Sequence, residues 1–293
     1  MKTVNYGERY SAPVTLCMGR YESVHRGHVQ IIKKAASMAE KNGSELMLMT
    51  FDERDNPRFG RVILTYPERL ARVESLGASS VLRIDFTDKF KNTSAEDFLA
   101  EIFSALDIHG AACGYDFTYG AGKKGNAETL GEYCSKRKVD FFALPEIADG
   151  GEKISSSAVK KALSDGNIER ANNLLGYKYF IAGKVTEGRR EGRKMGFPTA
   201  NIVWPEDKFL LKNGVYAVSS VIDGKEYAGI CNFGAAPTFG FEKVMCETHF
   251  KDFHGDLYGR ALTICFDAFL RDIRGFPTME ELKEQLQNDL KKI

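Results

Sequence analysis

Thr199 and Asn201, in the run Met195-Gly-Phe-Pro-Thr-Ala-Asn201, place a hydroxyl and a carboxamide two residues apart, and Cys246-Glu-Thr-His249 supplies a carboxylate, Glu247, further along. Neutral oxygens of this kind suit hard Mg²⁺ already charge-balanced by a nucleotide's phosphates. A carboxylate beside a metal-bound phosphate can orient and deprotonate an alcohol. Just upstream, the glycines Gly183, Gly188, Gly192 and Gly196 let the backbone approach a ligand, and Arg193 with its basic neighbours can face phosphates ahead of Pro198. The combination points to phosphoryl transfer from ATP. The plainer alternatives are a Pro-initiated turn whose Thr and Asn bond local backbone, and a solvated outer-strand glutamate.

A second set lies near the start, in Gly19-Arg-Tyr-Glu-Ser-Val-His-Arg-Gly-His28. His25 and His28 would flank a helix start whose free N–H groups and dipole attract anions. Two imidazoles there can donate hydrogen bonds to a triphosphate and steady charge as pyrophosphate leaves. Metal binding is the weaker alternative, since no third ligand is apparent; two surface histidines beside a turn is the structural one.

The elements that must position these groups fall into two halves. Val14 to Met18, Glu45 to Phe51, Ser80 to Ile84, Gly110 to Gly114 and Val139 to Leu144 read as strands. Between them lie helices over Gly27 to Lys41, from Pro67 to Leu76, and from a Ser94 cap to Leu106. That alternation implies an α/β domain with a parallel sheet, which places ligands beyond the strand carboxyl ends. From Gly176 the pattern changes to Phe180–Val185, Val215–Ile222, Glu226–Cys231, Lys243–Phe250 and Arg260–Phe269, with a hairpin signal at Asp223-Gly224. Strands without intervening helices suggest a small antiparallel β-barrel. Alternation in the Lys243–Phe250 strand puts Met245, Glu247 and His249 on one face and Val244, Cys246, Thr248 and Phe250 on a core-facing one. A closing helix carries a Thr278/Glu281 capping box and a Leu282, Leu286, Leu290 stripe read as core packing. The expected domains are 1–175 and 176–293, joined around Ala171 to Tyr177.

The length of 293 residues allows two cores of ordinary size. A net charge of +1 gives no support to a nucleic-acid partner. The six cysteines are scattered with no C-x-x-C pair, which fits a reducing cytoplasm better than a disulfide framework. The polar start and the lack of a long uncharged run give no sign of a signal peptide or membrane span. A cytoplasmic protein is expected. Nothing marks a self-association stripe, so monomer and weak homo-oligomer both stay open.

The run Gly183 to Asn201 resembles the ATP- and Mg²⁺-binding segment of riboflavin kinases, as do Asn213-Gly-Val-Tyr216, Asn232 to Phe239, Glu247-Thr-His249 and Gly255-Asp-Leu-Tyr-Gly259. The spacing along essentially the whole chain resembles the bifunctional bacterial riboflavin kinase / FAD synthetases. The resemblance implies a Rossmann-like nucleotidyltransferase domain followed by a riboflavin kinase barrel with a C-terminal helix. It implies that Thr199 and Asn201 hold Mg²⁺ and phosphates, that Glu247 takes the proton of the riboflavin 5′-hydroxyl, and that Phe233 contacts flavin. His25-Arg-Gly-His28 is similar to the adenylyltransferase signature, with Gly19 and Gly27 beside the phosphates. Ile154-Ser155-Ser156-Ser157 with Lys160 resembles that superfamily's last phosphate-binding motif. Gly114 to Gly120 resembles its flavin- and nucleotide-contacting loop, which implies flavin contacts at Phe51, Asp116, Phe117 and Tyr119. Substrates would be riboflavin, FMN and ATP. The chain departs from the family at Tyr21-Glu22-Ser23, where Phe-Asp-Gly is usual, and at Asp52 to Asp55, where Pro-His-Pro is usual. Asn126 stands for a customary Asp and Lys160 for a customary Arg. Ser23 is expected to strain its turn. These departures leave as the alternative a riboflavin kinase alone, with a degenerate N-terminal domain.

Overall fold

A computed structural model describes residues 1–53, 60–186, 197–235 and 244–293. Its contacts divide the chain into two compact units, Met1–Ser156 and Ser157–Ile293.

In the first unit six parallel strands run β1 (Lys2–Asn5), β2 (Tyr10–Met18), β3 (Glu45–Asp52), β4 (Ser80–Asp85), β5 (Leu106–Gly114) and, after two short strands β6 (Thr118–Tyr119) and β7 (Gly125–Asn126), β8 (Asp140–Leu144). Their order is β1-β4-β3-β2-β5-β8, so the sheet grows outward from β2 in both directions. The divergence between β2 and β5 opens a crevice at their carboxyl ends, where such sheets take ligands. Leu16, Cys17, Met47 and Leu48 in the central strands are fully buried, which explains why these strands read as continuous apolar runs. β1 escaped the sequence reading because only Val4 of its four residues is buried.

Helices α1 (Arg26–Asn42), α2 (Tyr66–Glu74), α3 (Asp88–Lys91), α4 (Ala95–Ala105) and α5 (Ala127–Lys136) join the strands. α1 ends as expected at Gly43, whose left-handed φ of 62° lets its N–H reach the Ala39 and Glu40 carbonyls. Ser94 caps α4 by accepting from Asp97 N. Asn126, in place of an Asp, caps α5 and shares a capping box with Thr129, a role that Asn fills as well as Asp. A hairpin of β9 (Ala148–Asp149) and β10 (Glu152–Lys153) completes this unit.

The second unit begins with α6 (whose full span is Ser156–Asp165) and α7 (Ile168–Leu175). Ala171 to Leu175, read from sequence as part of a join, continue α7, because Ala171, Leu174 and Leu175 are buried. Six antiparallel strands follow: β11 (Phe180–Lys184), β12 (Ala200–Val203), β13 (Gly214–Ile222), β14 (Lys225–Ala235), β15 (Val244–Phe250) and β16 (Ala261–Arg271). They pair in the order β11-β16-β13-β14-β15-β12, and a bridge from Thr186 to Asn201 brings the two edges together into a nearly closed barrel. Asp223 and Gly224 turn β13 into β14 with φ of 52° and 80°, as a two-residue hairpin requires. Tyr179, Trp204, Tyr216, Phe233 and Phe266 fill the barrel.

The closing helix, α8 (Met279–Leu290), is capped by Thr278 as expected. Its leucine stripe is only half buried; the fully buried side chain is Asp289, which pairs with Arg271 of β16 at 2.8 Å and accepts from Gln285. The helix is therefore held by a charge pair as well as by apolar packing.

Candidate active sites

The first site lies where β2 gives way to α1. Its turn carries backbone strain at Tyr21 (φ 53°) and Val24 (φ 44°) and not at Ser23, contrary to expectation. Tyr21 stabilises the turn: its buried ring places the hydroxyl 3.1 Å from Cys17 Sγ and 3.2 Å from the Met18 carbonyl. Ser23 has φ in the ordinary range, and its Oγ lies 2.8 Å from Ser156 Oγ.

His25 is the N-cap of α1, its Nδ1 accepting from the His28 backbone N–H at 3.2 Å. That bond assigns the His25 proton to Nε2. The rings of His25 and His28 stack at 3.7 Å with 9° between planes. Gly27 makes this possible, since a Cβ there would sit 3.1 Å from His25 Cε1. Burial lowers the pKa of His25 to about 4. Burial first, then the charges of His25 and Arg69, push His28 well below its ordinary value. Both imidazoles are neutral at pH 7, and His28 Nδ1 is enclosed without a hydrogen-bond partner among the described residues.

These rings face a cleft of about 640 Å³. Gly19, His25, His28, Ser155 and Ser156 line one side, a polar set for phosphates. Phe51, Phe86, Phe90, Phe98, Phe117 and Tyr119 line another; Phe51 meets Phe86 at 5.7 Å, and Phe117 stacks on Tyr119 at 5.7 Å. A wall of ring faces and edges suits a flat heteroaromatic ligand. Asp116 stands at the rim, 2.8 Å from Lys153. Ser157 and Lys160 belong to α6 in the second unit, where the Lys160 ammonium lies 5.6 Å from the Phe209 ring.

Sequence reasoning missed the group that braces this cleft. Arg69 of α2 is fully buried and donates to Glu53, to Thr50 Oγ1 (2.9 Å) and to the carbonyls of Phe51 (3.0 Å) and Arg20 (3.2 Å). Glu53, also buried, ion-pairs Arg20 as well. Glu53 occupies the segment where Pro-His-Pro is usual. Breaking such a buried pair from one side costs about 3–5 kcal/mol. The one available signal was the spacing of Arg69 with Tyr66 and Val73, which places a charge on the buried face of α2.

The second site forms where β12 pairs with β15. Asn201 lies opposite Glu247, and Glu247 opposite Asn232 of β14. Thr199 Oγ1 donates to Glu247 Oε1 at 3.1 Å. His249 Nδ1–H donates to the Pro198 carbonyl at 2.9 Å, and its ring meets Phe197 edge-on at 5.0 Å, fixing the segment that carries Thr199 into β12. The predicted alternation holds from Cys246 onward, with Cys246, Thr248 and Phe250 buried and Glu247 and His249 partly exposed, but fails at the strand's start, where Met245 is buried and Val244 partly exposed. A cleft of about 350 Å³ beside Pro198 and Thr199 is completed by Phe250, Asp256 and Tyr258.

Two expectations are revised here. Phe233 is fully buried with its ring 4.7 Å from that of Trp204, so it is a core residue and not a flavin contact. Gly183 serves packing between β11 and β12, since a Cβ would fall 2.5 Å from Ile202 Cγ2. Gly188, Gly192, Arg193 and Gly196 lie outside the described residues. Among the described residues no cluster of three His, Cys, Asp or Glu could form a metal cage. The neutral oxygens of Thr199 and Asn201 instead fit Mg²⁺ carried largely by a nucleotide's phosphates.

Comparison with known proteins matches a family to each half of the chain. The family model for FAD synthetase matches residues 8–158, and that for riboflavin kinase matches residues 175–293. The chain is 33% identical to a bifunctional riboflavin kinase/FMN adenylyltransferase of Bacillus subtilis, over 95% of this chain and 90% of that one. Its identity to the Escherichia coli K12 protein of the same name is 31%, over 94% and 90%. A solved Streptococcus pneumoniae structure, described as a macrolide-efflux protein, superposes with a TM-score of 0.88 at 27% identity, covering 99% of this chain and 98% of its own. The efflux description applies to that protein; among the described residues here no helix is long and apolar enough to cross a membrane. With both family models matched and relatives named for both activities, the alternative of a lone kinase gives way. The chain belongs to the bifunctional riboflavin kinase/FMN adenylyltransferases, enzymes that transfer a phosphoryl group to riboflavin and an adenylyl group to FMN.

Proposed function

We propose that residues 176–293 carry the kinase step through Glu247, Thr199 and Asn201, and residues 1–175 the adenylyl transfer through His25 and His28. Glu247 accepts the proton of the riboflavin 5′-hydroxyl while the oxygen forms its bond to the γ-phosphorus of ATP and ADP leaves. Thr199 orients that carboxylate through the 3.1 Å hydrogen bond, leaving its own lone pairs for a cation. Thr199 and Asn201 would hold Mg²⁺, which when bound neutralises phosphate charge. In the other step an oxygen of the FMN phosphate bonds to the α-phosphorus of a second ATP, and the bond to pyrophosphate breaks. His25 and His28 donate N–H groups to the triphosphate there, at the start of α1. The aromatic wall with Phe51, Phe117 and Tyr119 receives the isoalloxazine, Asp116 stands at its rim, and Gly19, Gly27, Ser155 and Ser156 receive phosphates. Six unpaired cysteines support a reducing, cytoplasmic setting, and a monomer or weak homo-oligomer is sufficient, since each step is assembled from one chain.

The observation that carries the assignment is the pairing of Glu247 with Thr199 and opposite Asn201. Labelled ATP tests it. A γ-phosphate label is expected in FMN and an α-phosphate label in FAD; an α label in FMN would contradict the assigned chemistry.

The histidine pair gives a pH expectation. Each folded-state pKa lies below the ordinary 6.5. Acid therefore protonates the unfolded chain first, and the stability these rings contribute is intact above about pH 6.5 and lost as pH falls towards 4. A bound triphosphate supplies the opposite charge and raises both values, so ATP binding at pH 6 to the Glu247→Gln chain should take up protons. Calorimetry in buffers of different ionisation enthalpy measures this; an enthalpy independent of buffer would contradict it.

A further inference from the structure

The polar side of the first cleft is built from two sets of donors that lie far apart in the chain. His25 and His28 come from the start of α1, Ser155 from the approach to α6 and Ser156 from its first residue. Ser23 joins the two sets: its Oγ lies 2.8 Å from Ser156 Oγ, across 133 positions of sequence. Ser23 is fully buried and is not among the residues that line the cleft, whereas Ser156 is half-buried and does line it.

The turn that carries Ser23 is fixed on both sides. Tyr21 is anchored to Cys17 and Met18, and the Glu22 carbonyl accepts from the Leu64 N–H at 2.9 Å. On the other side Val24 is fully buried and His25 caps α1. Tyr21 and Val24 both hold left-handed backbone, which persists only where the surroundings enforce it. Ser23 therefore presents its oxygen from a fixed point.

Two serines in contact divide their hydrogens in a definite way. A hydroxyl has one hydrogen to give and accepts through its lone pairs. If Ser156 gave its hydrogen to Ser23, it would meet a phosphate with lone pairs alone, and the two oxygens would repel. If Ser23 gives, the Ser156 hydrogen is left for the phosphate, and the bond it accepts polarises it into a stronger donor. A bound triphosphate selects the second arrangement. Such donors count because burial holds His25 and His28 neutral, so this side meets phosphate with oriented N–H and O–H groups.

We propose that Ser23 is a positioning residue for adenylyl transfer, donating to Ser156 Oγ and so turning the Ser156 hydrogen towards the triphosphate of ATP. This rests on the assignment of adenylyl transfer to the first unit. Ser23 touches no substrate, and no proton leaves either serine.

The test measures FMN-to-FAD conversion in the full chain, varying ATP and FMN separately. Ser23→Ala is expected to raise KM for ATP about tenfold, with kcat and KM for FMN within about threefold of the unchanged protein. Ser156→Ala should raise KM for ATP by about tenfold or more, and adding Ser23→Ala to it should cost less than about twofold further, because Ser23 acts only through Ser156. A Ser23→Ala chain with normal KM for ATP overturns the proposal. So does a double variant in which the two losses multiply, or a Ser23→Ala chain whose KM for FMN rises as much as that for ATP; either result would make Ser23 a general support of the turn. If the unchanged protein makes no FAD from supplied FMN, the assignment of adenylyl transfer fails, and this proposal with it.

Discussion

Replacing Glu247 with Gln is expected to lower FMN formation from riboflavin about 1000-fold, equivalent to about 4 kcal/mol of transition-state stabilisation. The side chain keeps its size and can still accept from Thr199, whose hydroxyl donates to Oε1 at 3.1 Å. What it loses is the basic oxygen that takes the riboflavin proton. The main effect should therefore fall on kcat, with KM for riboflavin and ATP little changed. FMN supplied directly should still become FAD at the normal rate, because His25 and His28 lie in the other unit. A variant that loses both conversions would contradict independent sites. One that keeps FMN formation would remove Glu247 from the chemistry.

Replacing His28 with Ala should do the reverse. Loss of one preorganised donor to a departing pyrophosphate is worth about 100- to 1000-fold, or about 3–4 kcal/mol. The ring also stacks on His25 at 3.7 Å and meets Tyr21 at 4.9 Å, so its removal releases the orientation of the partner imidazole too. FAD formation is expected to fall at the upper end of that range, while riboflavin phosphorylation stays intact and reports that the chain is folded. A kinase defect of similar size would count against the division of labour, and FAD formation within threefold of normal would exclude His28 from the step.

The features that could be read in the sequence were those carried by local pattern. Within β2 to β5 residues 14–18, 46–50, 80–82 and 110–113 are buried on both faces and announce themselves as largely apolar runs; α1 is marked by its glycine stop, and α4 by its serine cap. Thr199, Asn201 and Glu247 were legible because they sit in short motifs, and the structure brings them together through the β12–β15 register. β12 itself was not legible: four residues pairing with a distant strand look like the tail of a turn. Long-range charge pairs left almost no local trace. Nothing near Glu53 identifies Arg69 as its partner, and nothing near Asp289 identifies Arg271. Phe233 was misread because a motif aromatic has the same letter whether it faces a ligand or Trp204. The strain at Tyr21 and Val24 depends on how Tyr21 packs against Cys17 and Met18, which residue type alone does not disclose.

Incubating the pure protein with riboflavin, ATP and Mg²⁺ and separating the flavins by chromatography tests both sites at once. FMN should appear first and FAD after it, the FAD accumulating as FMN is drawn down. Riboflavin returned unchanged from folded protein would contradict the kinase site, and FMN that persists without FAD would contradict the site at His25 and His28.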